Sequence, residues 1–162
     1  MKKTILVEIE ESNPMFPVIE YMSKQKWCSY VDSITSERID GIAKIIVKEG
    51  RLEEFLKEIP SSTFHVIEKS YNFRRKEKGI LPFWIKLKIY KENLKDFENF
   101  MERTKNITEA YLTPEYNLFM RGYANLPQEI DFIWTKLFEE NKDGIDLKER
   151  TITYIVLKTF KK

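Results

Sequence analysis

The chain has 162 residues, enough for one large domain or two small ones, and its 28 Lys and Arg against 26 Asp and Glu leave a net charge of +2. That near balance excludes a strong one-signed field for nucleic acid in the total, and the single Cys28 excludes an internal disulfide, so a reducing compartment is expected. No run approaches the length of a membrane span, and the stretch from Met1 to Glu10 acquires acids too early for a signal peptide, which points to the cytoplasm.

The first half opens on a strand over Thr4 to Glu10, where Ile5, Val7 and Ile9 alternate with Leu6 and Glu8. Asn13-Pro14 then resembles a helix start, with Met15, Val18, Ile19 and Met22 as its apolar side. Trp27 to Thr35 and Gly41 to Lys48 are rich in β-branched, aromatic and small residues and predict two strands joined by the charged loop Ser36 to Asp40. Leu52, Phe55, Leu56 and Ile59 give a short amphipathic helix ended by Pro60, and Thr63 to Tyr71 a closing strand. Asn72 to Gly79, containing Arg74-Arg75-Lys76, is polar and basic and reads as a solvated linker.

The second half repeats this order. Phe83 to Tyr90 alternates cleanly, Ile85, Leu87 and Ile89 on one face and Trp84, Lys86, Lys88 and Tyr90 on the other. Leu94, Phe97, Phe100 and Met101 then share one side of a helix. The runs Ile107 to Thr113 and Tyr116 to Ala124, with Pro114-Glu115 between them, predict an antiparallel hairpin. A helix from near Pro127 to Gly144 carries the stripe Ile130, Ile133, Trp134, Leu137 and Phe138, whose burial is worth roughly 10 kcal/mol gross before chain entropy is subtracted. Thr151 to Phe160 closes the sheet.

Each half is therefore strand, helix, strand, strand, helix, strand. The fold class expected is α+β, two tandem ferredoxin-like (βαββαβ) domains with antiparallel sheets: residues 1–72, a linker at 73–79, and residues 80–162. Helices cover one face of such a sheet. The other face of the second domain carries Trp84 and Tyr90, with Phe119 and Tyr123 on the third strand and Tyr154, Val156 and Phe160 on the last, too many rings to leave in water. That face needs a partner: another sheet, another subunit or stacked bases.

The hairpin Tyr111-Leu-Thr-Pro-Glu-Tyr-Asn-Leu-Phe-Met-Arg-Gly122, the closing run Arg150 to Lys158 and the turn Asn141-Lys-Asp-Gly144 resemble the ligand-sensing (RAM, ACT-like) module of the Lrp/AsnC family of transcription regulators. The resemblance covers about half of the chain. Pro114 stands where that family usually has Gly, and Asn117 where it usually has Asp. The family's helix-turn-helix has no counterpart in the first eighty or so residues, so a DNA reader is either absent or supplied by another chain. The resemblance implies a regulatory domain that dimerises through its sheet, with a ligand near Thr113, Glu115, Tyr116 and Asn117.

Site chemistry is sparse. With only Cys28 and His65, no zinc pattern can be written, and we read them as a buried cysteine and a partly exposed strand histidine rather than as a nucleophilic pair. The glycines never cluster into a phosphate loop, and Glu53-Glu54 and Glu139-Glu140 fall on solvated helix faces. Trp84, Lys86, Tyr90, Phe119, Arg121 and Tyr123 interleave rings with cations as in RNA-recognition domains of this topology. The segment Asn117 to Ala124 does not fit the ribonucleoprotein consensus, so a sheet contact is preferred to base stacking. The Lys-over-Arg and Glu-rich balance leans towards a thermophile.

The expectation is a non-enzymatic regulatory or small-molecule-sensing module, linked to transcription regulation and dimerising through its sheets. Neither cofactor nor metal is expected. Its partners would be a second copy, a small-molecule ligand and a DNA-binding protein. The alternative is a single-stranded nucleic-acid binder using the aromatic and basic sheet face.

Overall fold

The computed structural model describes residues 2–11, 17–48, 50–51, 54, 62–75 and 79–161. The chain divides into two compact units, Met1–Ile67 with Val156–Lys162, and Glu68–Ile155. Every strand pairing given below is antiparallel, and the fold is α+β and ferredoxin-like in both units.

Unit 1 runs β1 (Lys2–Ile9), α1 (Val18–Ser23), β2 (Cys28–Thr35), β3 (Gly41–Lys48) and β4 (Thr63–Val66), paired in the order β4-β1-β3-β2. This is the fourth-first-third-second order of a ferredoxin-like sheet. Strand alternation sends Ile5, Val7, Ile9, Val31, Ala43, Ile45 and Val47 to one side, where they pack with Val18, Ile19 and Met22 of α1. The expected helix start at Asn13-Pro14 and the expected helix through Leu52, Phe55, Leu56 and Ile59 lie outside the described residues.

Unit 2 runs β5 (Lys69–Asn72), β6 (Leu81–Lys88), α2 (Leu94–Arg103), β7 (Ile107–Leu112), β8 (Asn117–Ala124), α3 (Pro127–Asn141) and the start of β9 (Ile152–Phe160). Its order, β9-β6-β8-β7-β5, is the ferredoxin-like one with β5 added at the edge beside β7. Phe83, Ile85, Leu87 and Ile89 meet Phe97, Phe100 and Met101 of α2 and Ile130, Ile133 and Leu137 of α3 in one aliphatic and aromatic core. Phe138, expected in that stripe, is 38% exposed and instead lies beside Trp134, ring centroids 6.0 Å apart. No helix among the described residues is long and apolar enough to cross a membrane.

Several local expectations change. The strand expected over Thr63 to Tyr71 is two, because Ile67 bonds back to Thr4 while Glu68 donates to the Leu112 carbonyl at 2.8 Å, so the chain leaves one ladder and joins another. The last strand is likewise shared: Ile152 pairs with Lys86 and Ile155 with Phe83, whereas Val156–Phe160 belongs to unit 1 beside β2. Phe160 therefore packs on the unit 1 core instead of joining Tyr154. Tyr90 lies beyond the end of β6, its amide bonded to the Gly144 carbonyl at 2.9 Å, and is 41% exposed.

Arg75 is not a solvated linker residue. Its guanidinium donates to the carbonyls of Met101 (2.9 Å), Thr104 (2.6 Å) and Ile107 (2.8 Å), and also to that of Glu102. It lies 4.8 Å from the Phe73 ring centroid. A helix ends with unsatisfied carbonyls and a partial negative charge, so one cation bound across the C-terminus of α2 satisfies both.

Gly122 on β8 has no room for a side chain, since a Cβ there would sit 2.4 Å from the Asn106 carbonyl oxygen and 2.8 Å from Phe83 Cζ. Gly122→Ala is expected to cost about 2–3 kcal/mol in urea denaturation. Wild-type stability would show that β7 and β6 relax freely around this point.

Glu98 on α2 accepts from Lys69 Nζ at 2.7 Å and from the Tyr71 hydroxyl at 2.6 Å, tying β5 to the helix. The bond from Lys69, then that from Tyr71, holds the Glu98 carboxyl below its usual range, while burial and the Glu98 bond push the Tyr71 phenol up. A depressed carboxyl pKa gives stability that is present above its unfolded value of 4.5 and lost as pH falls through the folded one. Glu98→Gln should lower stability at neutral pH by about 1 kcal/mol and flatten the acid limb of the stability curve. Parallel acid limbs in the two proteins would remove this cluster from the account.

Candidate functional site

Antiparallel pairing brings the start of β1 to the end of β3, so that Lys2 lies opposite Lys48 and Thr4 opposite Ile46. β2 begins alongside, Cys28 opposite Ile45, and the Ile46 amide donates to the Trp27 carbonyl at 2.8 Å. That bond holds Trp27 beside the end of β3. Beyond Lys48 the chain turns, the Arg51 amide donating to the Lys48 carbonyl at 3.2 Å.

Between these segments is a cleft of about 530 Å³ within unit 1. Among the described residues its walls are Trp27, Ile46 and Val47, and its polar groups are Lys2, Lys26, Lys48, Arg51, Ser29 and Glu54. The volume falls inside the range of roughly 300–1,000 Å³ typical of small-molecule sites. Among the described residues Lys2, Lys26, Lys48 and Arg51 have no ion-pair partner, and Glu54, the cleft's carboxylate, bridges to none of them. Like charges directly opposite in a ladder destabilise the sheet. Lys2 and Lys48 are such a pair, and the cations beside them add to the same positive potential. The arrangement suits a multiply charged anion carrying an apolar or flat part for Trp27 and Ile46.

The residues singled out in the sequence lie elsewhere. Thr113, Glu115, Tyr116 and Asn117 form the β7–β8 turn. The Thr113 amide donates to the Asn117 carbonyl at 3.0 Å, and its hydroxyl accepts from the Asn117 amide at 3.0 Å. The left-handed residue of this turn is Tyr116, at φ 66°, downstream of Pro114. Glu115 is exposed, and the Tyr116 carbonyl accepts from the Ile89 amide at 3.0 Å.

Trp84, Phe119, Arg121 and Tyr123 share the helix-free side of the unit 2 sheet and are all buried, Arg121 completely. Trp84 is opposite Arg121, and Lys86 is opposite Phe119 with its Nζ 5.3 Å from that ring's centroid. Arg121 donates to the Tyr123 hydroxyl at 2.6 Å. Tyr111, which the sequence reading left out, joins them, its ring 6.2 Å from that of Trp84. The signal for it was its place two residues before Thr113 on an alternating strand. Tyr90 is apart from this group.

Cys28 and His65 are not brought together. Cys28 is on β2 and His65 on β4, with β1 and β3 between them in the sheet. Burial pushes the Cys28 thiol up to about 11, so it holds its proton at neutral pH. His65 Nε2 lies 2.5 Å from Glu8 Oε1 on the neighbouring strand. Among the described residues no group of three or more His, Cys, Asp or Glu side chains is arranged to hold a metal ion.

No protein-family model matches the chain. Among curated proteins it is similar to the CRISPR system endoribonuclease Csx1 of Methanocaldococcus jannaschii, 28% identical over 120 residues; the match covers 70% of this chain, which spans about a quarter (25%) of that relative's length. The crystal structure of the siroheme decarboxylase NirDL superposes with a TM-score of 0.74 at 9% identity, over 99% of this chain and 73% of the other. A protein assigned as a monooxygenase from Fusobacterium nucleatum gives 0.52 at 12% identity, over 98% and 94%. At such identities the structural likeness is one of fold. It agrees with the ferredoxin-like architecture described above.

The expectation that the protein is not an enzyme is overturned. A decarboxylase has this fold over nearly the whole chain, and the curated relative is an endoribonuclease. The expectation rested on the absence of a recognisable catalytic motif, and a fold that hosts both regulators and enzymes gives that absence little weight.

If the crowded cations are present for a ligand, removing one should relieve the empty protein. Lys48→Gln is expected to raise stability by about 0.3 kcal/mol at low ionic strength, a gain that vanishes near 0.5 M salt as screening removes the repulsion. Paired urea titrations at the two salt concentrations measure it, and a loss of stability at low salt would mean that Lys48 has a partner in solution.

Proposed function

We propose that the protein binds an anionic small molecule in the unit 1 cleft and responds to it as a sensing module. The observation that carries this reading is the set of cations Lys2, Lys26, Lys48 and Arg51, without an ion-pair partner among the described residues, gathered with Trp27 around one cleft of ligand size. The Lrp/AsnC-like resemblance of the hairpin and closing strand supports a link to transcription regulation, with a DNA-binding partner and self-association as parts of the same proposal.

A second reading treats the bound anion as a substrate. It is favoured by a solved complex of the siroheme decarboxylase NirDL with an iron-uroporphyrin III analogue, whose fold this chain matches with a TM-score of 0.71. Uroporphyrins carry several carboxylates, which the same cations would attract.

Calorimetric titration of the full chain at low salt with pyrophosphate and with an iron-uroporphyrin tests both. Binding should weaken about 10-fold in the Lys2→Gln/Lys48→Gln double variant and fall as salt rises. Turnover of the porphyrin would favour the substrate reading. Equal binding to wild type and double variant would move the site away from this cleft.

A further inference from the structure

We infer that the anion taken by this cleft is a free nucleoside polyphosphate, with the phosphates among the cations and the base on Trp27; the inference rests on the anion-binding reading above and names its ligand class. Three features point to this class over an aliphatic anion, a bare phosphate or a polycarboxylate.

The positive groups come from separate segments that converge. Lys2 and Lys48 face each other across the β1–β3 ladder, Lys26 precedes Trp27, and Arg51 follows the turn after β3. A single carboxylate has two oxygens, and one bidentate Arg occupies both. A diphosphate or triphosphate presents many oxygens over a short span and engages several cations at once.

The apolar part of the cleft is flat and partly open. Trp27 is half-buried, and Ile46, held next to it by the 2.8 Å bond to the Trp27 carbonyl, is 37% exposed although it lies in a strand otherwise rich in buried aliphatic residues. An indole edged by an exposed aliphatic side chain offers a planar ring a surface that any base can use, since every base has a π face.

Glu54 and Ser29 complete the polar lining. A carboxylate in a cationic cleft repels any anionic group set against it, so it suits a ligand with a neutral, hydrogen-bond-donating part beside its anionic one. It accepts hydrogen bonds from ribose hydroxyls or base amino groups, and a nucleotide supplies both. The cleft is also large enough for one nucleotide, at about 530 Å³.

Calorimetry on the full chain at low salt with ADP, pyrophosphate, adenosine and a short single-stranded RNA decides it, with circular dichroism melts confirming that each variant folds. ADP should bind about 10-fold more tightly than pyrophosphate, and adenosine far more weakly than either. Trp27→Ala should erase the advantage of ADP while leaving pyrophosphate affinity unchanged, and Trp27→Phe, which keeps a ring and protects the fold, should retain most of it. Glu54→Gln should weaken ADP and not pyrophosphate. If pyrophosphate binds as tightly as ADP and the Trp27 variants are silent, the nucleotide assignment fails while the anion cleft stands. If the RNA binds more tightly than ADP, with a steeper salt dependence, a free nucleotide is the wrong ligand. If none of the four binds, the anion-binding reading and this inference fall together.

Discussion

Strand register is the constraint on which the rest of this structure depends. In unit 2 residues on both sides of the same strands are buried. One set of alternate residues, Phe83, Ile85, Leu87, Leu118 and Met120, meets the helices. The other set, Trp84, Tyr111, Phe119, Arg121 and Tyr154, is just as buried but carries rings, hydroxyls and a guanidinium. A slip of one residue would exchange the sets and drive Arg121 into the aliphatic core, where an unpaired charge costs several kcal/mol. Ordinary half-buried sheets tolerate some error on their wet side. This one has no wet side at these positions.

Several local devices hold that register. The shift between Ile107 and Glu109 on β7 absorbs one residue against β8 close to Gly122, where the backbone of Asn106 comes too near for a Cβ. At the other end of the same hairpin, the Thr113 hydroxyl and the left-handed Tyr116 close the turn without glycine. A non-glycine residue at positive φ costs about 1 kcal/mol, and the hydrogen bonds of Thr113 with Tyr116 and Asn117 offset it. The turn that resembles a family's ligand loop therefore uses the Thr113 hydroxyl and backbone, with the Tyr116 and Asn117 amides, to close the hairpin. Arg75 secures the same region from the side, binding the end of α2 and the first residue of β7 at once.

What could be read in the sequence follows from this. Period-two and period-four patterns gave the strands and helices of unit 2 and the tandem order, because alternation is a local property. Arg121 was recognised as a residue of the helix-free face, but a cation in a strand reads as solvent-facing whether or not it is buried. Arg75 looked like linker charge because its partners, Met101 to Ile107, lie some 30 residues away. Tyr90 was misplaced because alternation was carried past the end of β6. The cleft was the least legible feature: Lys2, Trp27 and Lys48 are remote in sequence, and each alone is an ordinary residue at a strand end. A signal existed all the same. A ferredoxin-like order puts the first strand antiparallel to the third, so a first strand starting at Lys2-Lys3 and a third strand ending in Lys48 must bring those lysines together.

The unit 1 sheet shows why that meeting is informative. Elsewhere its charges are placed conservatively: His65 lies against Glu8, and the Asp32 carboxylate accepts from the Thr159 hydroxyl at 2.7 Å. A unit that partners the buried Glu8 and Asp32 in this way has no structural need to set Lys2 against Lys48 at its margin. Each repulsion is small, a few tenths of a kcal/mol, and salt would screen it. That smallness is what allows such a cluster to persist in a folded protein, and a multivalent anion entering the cleft would turn the same repulsion into binding energy. The packed register of the sheet holds Lys2 and Lys48 by ladder positions and Trp27 by the Ile46 amide, so an anion entering the cleft would meet backbones already in place.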